Sequence, residues 1–358
     1  MDARAGGAQR GRGAVSNAVS RYLPHDRVRE DDGWYSDEED LPRFRTTVTA
    51  DKARTVISRN SSPDISFEQS LNAFRGCEHG CIYCYARPSH AYLGLSPGLD
   101  FESKLSAKFD AAALLERELS NPRYKCRILA IGTNTDPYQP IERKLRITRR
   151  VLEVLSAFNH PVSIVTKSAL VVRDLDVLGS LAEKRLVRVY LSVTTLDREL
   201  ARAMEPRAAT PQLRLKAIAA LAKAGIPVGV MVAPMIPALN DSELESIMEA
   251  ARDAGASSAW YSLVRLPLEI KDLFAEWLKA HVPDRADHVL NLIRQTRDGK
   301  LNDPNFGSRF NGTGEYADLL AQRFKIAQKR LILEDRKWHF NLDIFQVPKK
   351  QSPQLDLF

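Results

Sequence analysis

The sequence GCEHGCIYCYA, residues 76–86, holds three of the four cysteines of this chain. Their spacing is C-x3-C-x2-C, with an aromatic residue just before the third cysteine. Thiolates are the soft ligands that cubane iron–sulfur clusters require, and three of them leave one iron of the cluster open to a substrate or cofactor. Gly76 and Gly80 permit the positive φ values that a tight loop around a cluster needs. The predicted ligands of this iron–sulfur site are Cys77, Cys81 and Cys84.

A structural zinc site is the alternative interpretation of this run. Three cysteines together with His79 or His90 would complete a Cys3His ligand set. Structural zinc sites usually pair two widely separated ligand clusters, however, and this run is a single cluster. His79 inside the run is more typical of a loop surface or of a hydrogen-bond donor behind the ligands.

The cysteine run resembles the radical S-adenosylmethionine (SAM) enzymes, whose hallmark is this spacing with an aromatic residue at the position of Tyr83. Residues 72–77 and 84–87 resemble the branch that contains spore photoproduct lyase and related DNA repair photolyase-like proteins. The resemblance covers roughly residues 66–266. It implies a [4Fe-4S] cluster whose open iron binds the amino and carboxylate groups of SAM. It also implies an external electron donor such as a flavodoxin or ferredoxin, cleavage of SAM to a 5′-deoxyadenosyl radical, and hydrogen abstraction from a substrate.

Length and composition are those of an ordinary globular protein. The chain has 358 residues, of which 44% are hydrophobic and 27% charged, which suits one large domain with extensions or two modest ones. No apolar run approaches the ~20 residues of a membrane span, and the start lacks the apolar core of a secretory signal. With three of four cysteines in one site, a disulfide framework is excluded. We therefore expect a cytoplasmic protein without a membrane partner.

Composition divides the chain into four parts. Residues 1–59 combine an Arg- and Gly-rich start with an acidic block, which predicts a poorly ordered charged arm. Residues 60–266 alternate short apolar strands with amphipathic helices and predict the catalytic domain. Residues 267–348 predict a helical C-terminal extension that covers the open side of this domain or builds part of its substrate cleft. Residues 349–358 form a separate tail.

The central part predicts an α/β fold, either a partial (β/α)6 barrel or a wound sheet. Helices between consecutive strands require parallel pairing with right-handed crossovers, and the family resemblance implies the partial barrel, with the cluster loop after its first strand. The predicted strands are residues 67–72, 127–131, 162–166, 187–193, 227–232 and 259–264. The predicted helices between them are residues 110–119, 145–158, 175–184, 211–224 and 241–254. In the extension, the predicted helices are residues 271–279, 284–297 and 315–333.

Polar residues at the carboxyl ends of these strands are candidates for SAM binding, because chemistry in such folds lies at that edge. Thr135 and Asp136 follow the second strand, where a turn explains them as well as a ligand does. The resemblance implies that this Thr-Asp pair touches SAM, that Lys167 meets its carboxylate and that Ser192 lies on its ribose side. A backbone group at Ala233 could hold the adenine.

Two tyrosines flank the third cysteine of the run. Tyr83 and Tyr85 should shield the cluster from water, and one of them could stack near the adenine. The second strand departs from the branch that the chain resembles, because those enzymes place a hydrogen-donor cysteine near its carboxyl end, where this chain has residues Ile-Gly-Thr at 131–133. The fourth cysteine, Cys126, opens the strand at its other end and is typical of a structural thiol. This departure argues against literal thymine-dimer reversal.

The C-terminal residues resemble the pentapeptide by which bacterial polymerases and repair proteins dock on the replication sliding clamp. A polar anchor, a leucine, an acid and a terminal Leu-Phe pair can insert apolar side chains into a partner pocket. A tail that packs on its own domain is the alternative. The residues of this motif are Gln354, Leu355, Asp356, Leu357 and Phe358.

A basic cluster gives a second indication of a nucleic-acid partner, beside the net charge of +7, which is weak evidence. Several of its cations fall in the first turn of a predicted helix, where the macrodipole disfavours them. Phosphates that approach this face would compensate, although a solvated helix end explains any single cation. The cluster comprises Arg143, Lys144, Arg146, Arg149 and Arg150.

Three hypotheses follow. The first is a radical SAM enzyme that acts on nucleic acid in DNA repair, by a lyase-like or another reaction. The second keeps this chemistry but directs it at RNA or a protein, and the tail is then structural. The third is a non-catalytic module that associates with the sliding clamp and uses a structural metal site. The residues that act directly on the substrate are not identified by the sequence.

Overall fold

The computed structural model describes residues 11–18, 20–22, 45–334 and 338–349. Its strands are β1 (Thr47–Ala50), β2 (Ile57–Arg59), β3 (Gln69–Leu71), β4 (Phe74–Arg75), β5 (Lys104–Ala107), β6 (Leu129–Ile131), β7 (Val162–Thr166), β8 (Val187–Ser192), β9 (Val228–Met235) and β10 (Ser258–Leu263). Its α-helices are α1 (Leu99–Ser103), α2 (Ala111–Leu119), α3 (Glu142–Leu145), α4 (Ile147–Ala157), α5 (Leu175–Glu183), α6 (Arg198–Met204), α7 (Pro211–Lys223), α8 (Leu244–Asp253), α9 (Ile270–His281), α10 (Ala286–Gln295) and α11 (Glu315–Arg330).

The main sheet has the strand order β10-β9-β8-β7-β6-β3-β2. Every neighbouring pair from β3 to β10 is parallel, and β2 adds to β3 in the antiparallel direction. Helices lie between consecutive parallel strands, as right-handed crossovers require. Within the described residues β10 does not pair with β3, so the barrel is open. The predicted partial (β/α)6 barrel is confirmed.

The core lies between the parallel sheet and its helices. Val162 and Ile164 of β7 and Val189 and Leu191 of β8 are completely buried, and each such side chain contributes about 1.5–3 kcal/mol of transfer free energy. Helix α7 begins at Pro211 after an N-terminal cap, because the hydroxyl of Thr210 accepts a hydrogen bond from the amide of Leu213.

The carboxyl-terminal extension is helical, and it contacts the site side of the barrel. Side chains of α9 and α10 form a second apolar core together with residues of the cysteine run, Ile82 and Tyr83 among them. Trp277 of α9 is completely buried there, and its Nε1 donates to the carbonyl of Ala203 at 3.1 Å. Among the helices of the described residues, none has both the length and the apolar character needed to cross a membrane.

One predicted helix, residues 145–158, is two helices in the structure. Arg146 has φ of 51° and separates α3 from α4. The carboxylate of Glu142 accepts hydrogen bonds from the amides of Ile147 and Thr148 at 2.9 and 3.0 Å, so it supplies the N-terminal cap of α4. The sequence gives little indication of this break between α3 and α4, because the cap of α4 is the side chain of Glu142, five residues before the helix begins.

This break changes the interpretation of the basic cluster. Arg143 and Lys144 lie in the last turn of α3, an end at which a cation is favourable. Arg149 does lie in the first turn of α4, where its pairing with Asp176 at 2.6 Å compensates it. These three cations therefore need no phosphate to explain their positions, and contact of the cluster with phosphate stays a prediction.

The first 59 residues differ from the predicted poorly ordered arm wherever the structure describes them. Strand β1 pairs with β5 in a small sheet of order β1-β5-β4, and β2 extends the main sheet. Residues 11–18 pack on the cysteine run, with Ala14 only 1% exposed. Residues 11–18 are poor in large apolar side chains, and they are held by hydrogen bonds to a buried carboxylate, that of Glu102. Composition does not reveal such a partner.

Candidate active site

The cysteine run forms a loop, residues 76–87, which we call the cluster loop. It follows β4, and its backbone is held at the start and in the middle, because the amide of Cys77 donates to the carbonyl of Phe101 and that of Ile82 donates to the carbonyl of Met204, each at 3.0 Å. Gly76 has φ of 76°, and a Cβ atom there would lie 2.8 Å from the carbonyl oxygen of Phe101. Gly80 has φ of 68°. Both glycines are therefore required by the loop conformation.

The thiols of the cluster loop suit an iron–sulfur cluster. Cys77, Cys81 and Cys84 are all free of disulfides. Burial raises the pKa of Cys77 and of Cys81 well above that of an exposed thiol. Such thiols become thiolates only when a strongly cationic centre binds them, and iron in a cluster is such a centre. The donor set fits the predicted cofactor.

The two histidines proposed as a fourth zinc ligand have other partners. Nδ1 of His79 lies 3.3 Å from the carboxylate of Asp136. Nε2 of His90 lies 2.9 Å from the carbonyl oxygen of Lys104. Both imidazoles are therefore engaged by groups other than the three thiols, and neither gives the Cys3His zinc alternative a fourth ligand.

Asp136 joins the cluster loop to the carboxyl ends of the strands. One carboxylate oxygen accepts from Thr166 Oγ1 at 2.7 Å, and the other accepts from the amide of Lys167 at 2.8 Å and faces His79. Burial alone would raise the pKa of Asp136, but the charge and hydrogen bond of His79 and the two donors at the end of β7 lower it to about 2. The carboxylate is therefore ionised at neutral pH and already has several donors.

The neighbouring Thr135 is also held by the fold. Its hydroxyl donates to the carbonyl of Phe74 at 3.1 Å, which ties the end of β6 to β4. The side-chain oxygen of Asn72 accepts from the amides of Asn134 and Thr135 at 3.0 and 3.3 Å. Both residues therefore hold the loop after β6 in place. Their contacts with SAM stay a prediction.

A buried ion pair lies behind Tyr83. The phenol of Tyr83, which is 6% exposed, and the hydroxyl of Thr194 both donate to Glu205, and Glu205 pairs with Arg214. Arg214 also donates to the carbonyl of Ser192 at 3.0 Å. The pair thus connects the cluster loop to the carboxyl end of β8.

Two further predicted residues meet this buried network. Nζ of Lys167 lies 5.7 Å from the centre of the Tyr83 ring. The side-chain amide of Asn240 donates to the carbonyls of Thr194 and Pro234 at 2.7 and 3.0 Å, so it fixes the ends of β8 and β9 beside Ala233. The structure therefore places Tyr83, Lys167 and Ser192 around one network, with Ala233 on the adjoining strand.

Tyr85 has a different environment from Tyr83. The residue is 45% exposed, but its hydroxyl donates to the carbonyl of Thr133 at the end of β6, and burial of the phenol raises the pKa of Tyr85 to about 12. The guanidinium of Arg265, just beyond β10, lies 5.6 Å from the ring centre. Tyr83 is the more buried of the two tyrosines. Shielding of the cluster by both of them stays a prediction.

Sequence reasoning missed several residues that shape this site. Glu205 and Arg214 meet only after α6 and α7 have folded, and their buried pairing has no sequence signal. Gln139 is completely buried, and its side-chain oxygen accepts from the amide of Glu78 at 2.8 Å. The contact of Gln139 with the cluster loop joins residues 61 positions apart, and no local sequence pattern indicates it.

Comparison with known proteins agrees with this arrangement. The family model of the radical SAM superfamily matches residues 71–251. An uncharacterized protein of Mycobacterium tuberculosis is 36% identical over 233 residues, which are 64% of this chain and 68% of that protein. An uncharacterized protein of Methanocaldococcus jannaschii is 28% identical over 240 residues, which are 67% of this chain and 85% of that protein.

Solved structures of spore photoproduct lyase share the fold. A mutant of that enzyme aligns with a TM-score of 0.59 at 17% identity, over 80% of this chain and 79% of the other. The lyase complexed with dinucleoside spore photoproduct aligns with a TM-score of 0.58 at 18% identity, over 79% of each chain. At this identity the likeness concerns the fold.

The open parallel barrel with a three-cysteine loop after its first strand defines a class of iron–sulfur enzymes. The chain belongs to the radical SAM superfamily. It is an enzyme, and its cofactors are a [4Fe-4S] cluster and SAM. The predicted family and cofactors are confirmed, and the hypothesis of a non-catalytic metal module is wrong.

Proposed function

We propose that this radical SAM enzyme abstracts a hydrogen atom from nucleic acid, with DNA as the favoured target. The observation that carries the proposal is the pairing of Tyr85, which follows Cys84 and is 45% exposed, with the guanidinium of Arg265 at 5.6 Å from its ring centre. A cation beside the cluster loop favours an anionic substrate. Support comes from the fold likeness to spore photoproduct lyase, one structure of which is complexed with a dinucleoside photoproduct.

The proposed roles follow from the positions of the residues. Cys77, Cys81 and Cys84 hold the cluster, and the cluster with SAM supplies a 5′-deoxyadenosyl radical when both are bound. Lys167 offers a cation to the SAM carboxylate. The remaining proposed contacts with SAM are Tyr83, Tyr85, Thr135, Asp136, Ser192 and Ala233.

We propose that the reaction is not the reversal of a thymine dimer by a thiol on the second barrel strand. The chain has four cysteines, three of them in the cluster loop. The fourth, Cys126, precedes β6 at its amino end, away from the edge at which Thr133 meets Tyr85. A hydrogen atom returned to a product radical would have to come from another donor.

The replication sliding clamp is the proposed protein partner, through Gln354 to Phe358. This motif lies outside the described residues, so the proposal rests on its sequence. A chain that lacks the five residues of the motif should lose binding to the clamp from its own organism. Equal clamp binding by the full chain and the truncated chain would contradict the proposal.

The proposed substrate class can be tested with the reconstituted holoenzyme, dithionite and SAM. We expect single-stranded DNA to raise the rate of 5′-deoxyadenosine release by about tenfold or more over the rate without substrate, because bound substrate aligns the reacting groups. Deuterium from a deuterated oligonucleotide should appear in 5′-deoxyadenosine. Stimulation by RNA alone, or by protein alone, would overturn the DNA assignment and favour the second hypothesis.

A further inference from the structure

A strip of alternating aromatic rings and guanidinium groups runs from the cluster loop along the loop that precedes α11. The ring of Tyr85 lies 5.6 Å from the guanidinium of Arg265, which lies 5.0 Å from the ring of Phe310. Beyond the Phe310 ring, the guanidinium of Arg309 lies 5.0 Å from the centre of that ring and 4.7 Å from the centre of the Phe306 ring. We call these five residues the arginine–aromatic strip.

The strip is held on the end of β10. The amide of Leu263 donates to the carbonyl of Phe310 at 2.8 Å. The guanidinium of Arg297 donates to the carbonyls of Arg309 and Val264 at 2.8 and 2.9 Å. These bonds fix the backbone of the loop, so the alternation of rings and cations is set by the fold.

The two arginines of the strip differ in their partners. Arg309 pairs with Asp64 at 2.7 Å and is neutralised. In the part of the chain that the structure describes, Arg265 forms no salt bridge, and its buried Nε has no hydrogen-bond acceptor. Burial and the nearby charge of Arg309 lower the pKa of Arg265, yet a guanidinium stays protonated in proteins. The strip therefore contains one guanidinium next to Tyr85 that has no salt-bridge partner among the described residues, because the carboxylates of Asp64 and Asp303 act on it from beyond salt-bridge distance.

The outer end of the strip presents an aromatic face. Phe306 is 61% exposed, and Arg309 covers one of its faces. Exposed aromatic rings interleaved with cations are the means by which proteins bind single strands: bases stack on the rings, and the cations meet the phosphates. An acidic peptide could use the cation but would gain little from the ring.

We propose that the arginine–aromatic strip binds an unpaired segment of nucleic acid, with a phosphodiester on Arg265 and a base stacked on Phe306. This inference rests on the proposed function and deepens it, because it names the element of the substrate that is recognised. A phosphate on Arg265 brings its nucleotide beside Tyr85 and the cluster loop. A base on Phe306 lies farther along the strip and sets the direction of the strand.

The test is the binding of a fluorescent single-stranded DNA oligonucleotide to the holoenzyme, as a function of salt. We expect Phe306→Ala to weaken binding by about 5- to 100-fold, the effect of losing one stacked base. Arg265→Gln should weaken binding and reduce the slope of log K against log salt by about 0.7, the value for one phosphate on a single strand. The control is Arg330→Gln, an exposed arginine on α11 that pairs with Glu249 and should bind as the wild type does.

The possible results distinguish a failure of the strip inference from a failure of the proposed function. If wild-type protein binds the oligonucleotide and both strip variants bind equally well with the same salt slope, the strip inference is overturned and the proposed function stands. If wild-type protein binds no nucleic acid, the proposed function fails, and the inference falls with it. If poly-glutamate displaces the oligonucleotide and Phe306→Ala has no effect, the strip is a site for acidic peptides. Phe306 is exposed, so its truncation leaves the fold intact.

Discussion

A Gly13→Ala protein is expected to lose most of its iron–sulfur cluster, although residue 13 is far from the cysteines in sequence. A Cβ atom at this position would lie 1.8 Å from the carbonyl oxygen of Gly80, in the centre of the cluster loop. The clash is with backbone, so no side-chain rotation relieves it. Either residues 11–18 detach or the cluster loop moves.

Detachment of this segment would also disrupt the support of the cluster loop. The amides of Gly13 and Ala14 donate to the carboxylate of Glu102 at 3.0 and 2.8 Å. Glu102 is completely buried and also pairs with Arg87 of the cluster loop at 2.5 Å. Each donor lost from a buried carboxylate costs about 1–3 kcal/mol.

The measurement is iron per chain after anaerobic reconstitution and gel filtration, together with the rate of 5′-deoxyadenosine release. Both should fall several-fold in Gly13→Ala. The matched control is Gly179→Ala in α5, where an added Cβ meets no atom within 4 Å, and both values should stay at the wild-type level. Full iron content in Gly13→Ala would show that residues 11–18 do not support the cluster loop.

Removal of the carboxylate of Glu205 is expected to lower the free energy of unfolding by about 3–5 kcal/mol, because it leaves a buried cation without its counter-charge. The side chains of Arg214 and Glu205 are 1% and 0% exposed. Tyr83 and Thr194 lose their acceptor at the same time. The effect should therefore be among the largest of any single substitution in the barrel.

Denaturant unfolding of the cluster-free protein measures this effect. Glu205→Ala should shift the midpoint strongly, while Glu249→Ala, which removes an exposed partner of Arg330, should change stability by less than about 1 kcal/mol. The double variant Glu205→Leu/Arg214→Met should recover much of the loss, because it removes both charges. Equal stability of Glu205→Ala and Glu249→Ala would contradict the assigned ion pair.

The strands and helices of the barrel were predictable because their patterns are local. The strand predicted at 162–166 has those bounds in the structure, and α7 begins at Pro211 after its Thr210 cap. The cluster loop was predictable because three ligands lie within eight residues of chain. Patterns of this kind depend only on neighbours in sequence.

Other parts of the site depend on contacts that no local pattern contains. Residues 11–18 are ordered by Glu102, which is about 90 residues away, so composition indicated a free arm instead. Asp136 was predicted as a SAM contact from its position after a strand, and its partner His79 became visible only in the fold. The arginine–aromatic strip joins Tyr85 to residues 265–310, and nothing in its separate segments indicated that they meet.

That three cysteines hold a cluster that cleaves SAM is tested most directly by measuring iron, sulfide and SAM turnover in anaerobically reconstituted wild-type protein. We expect about four irons and four sulfides per chain, and an electron paramagnetic resonance signal of the reduced cluster that changes when SAM is added. Release of 5′-deoxyadenosine should be lost when Cys77, Cys81 or Cys84 is replaced by alanine. A protein that binds zinc in place of iron, or a cluster whose signal is unchanged by SAM and that releases no 5′-deoxyadenosine, would contradict this assignment.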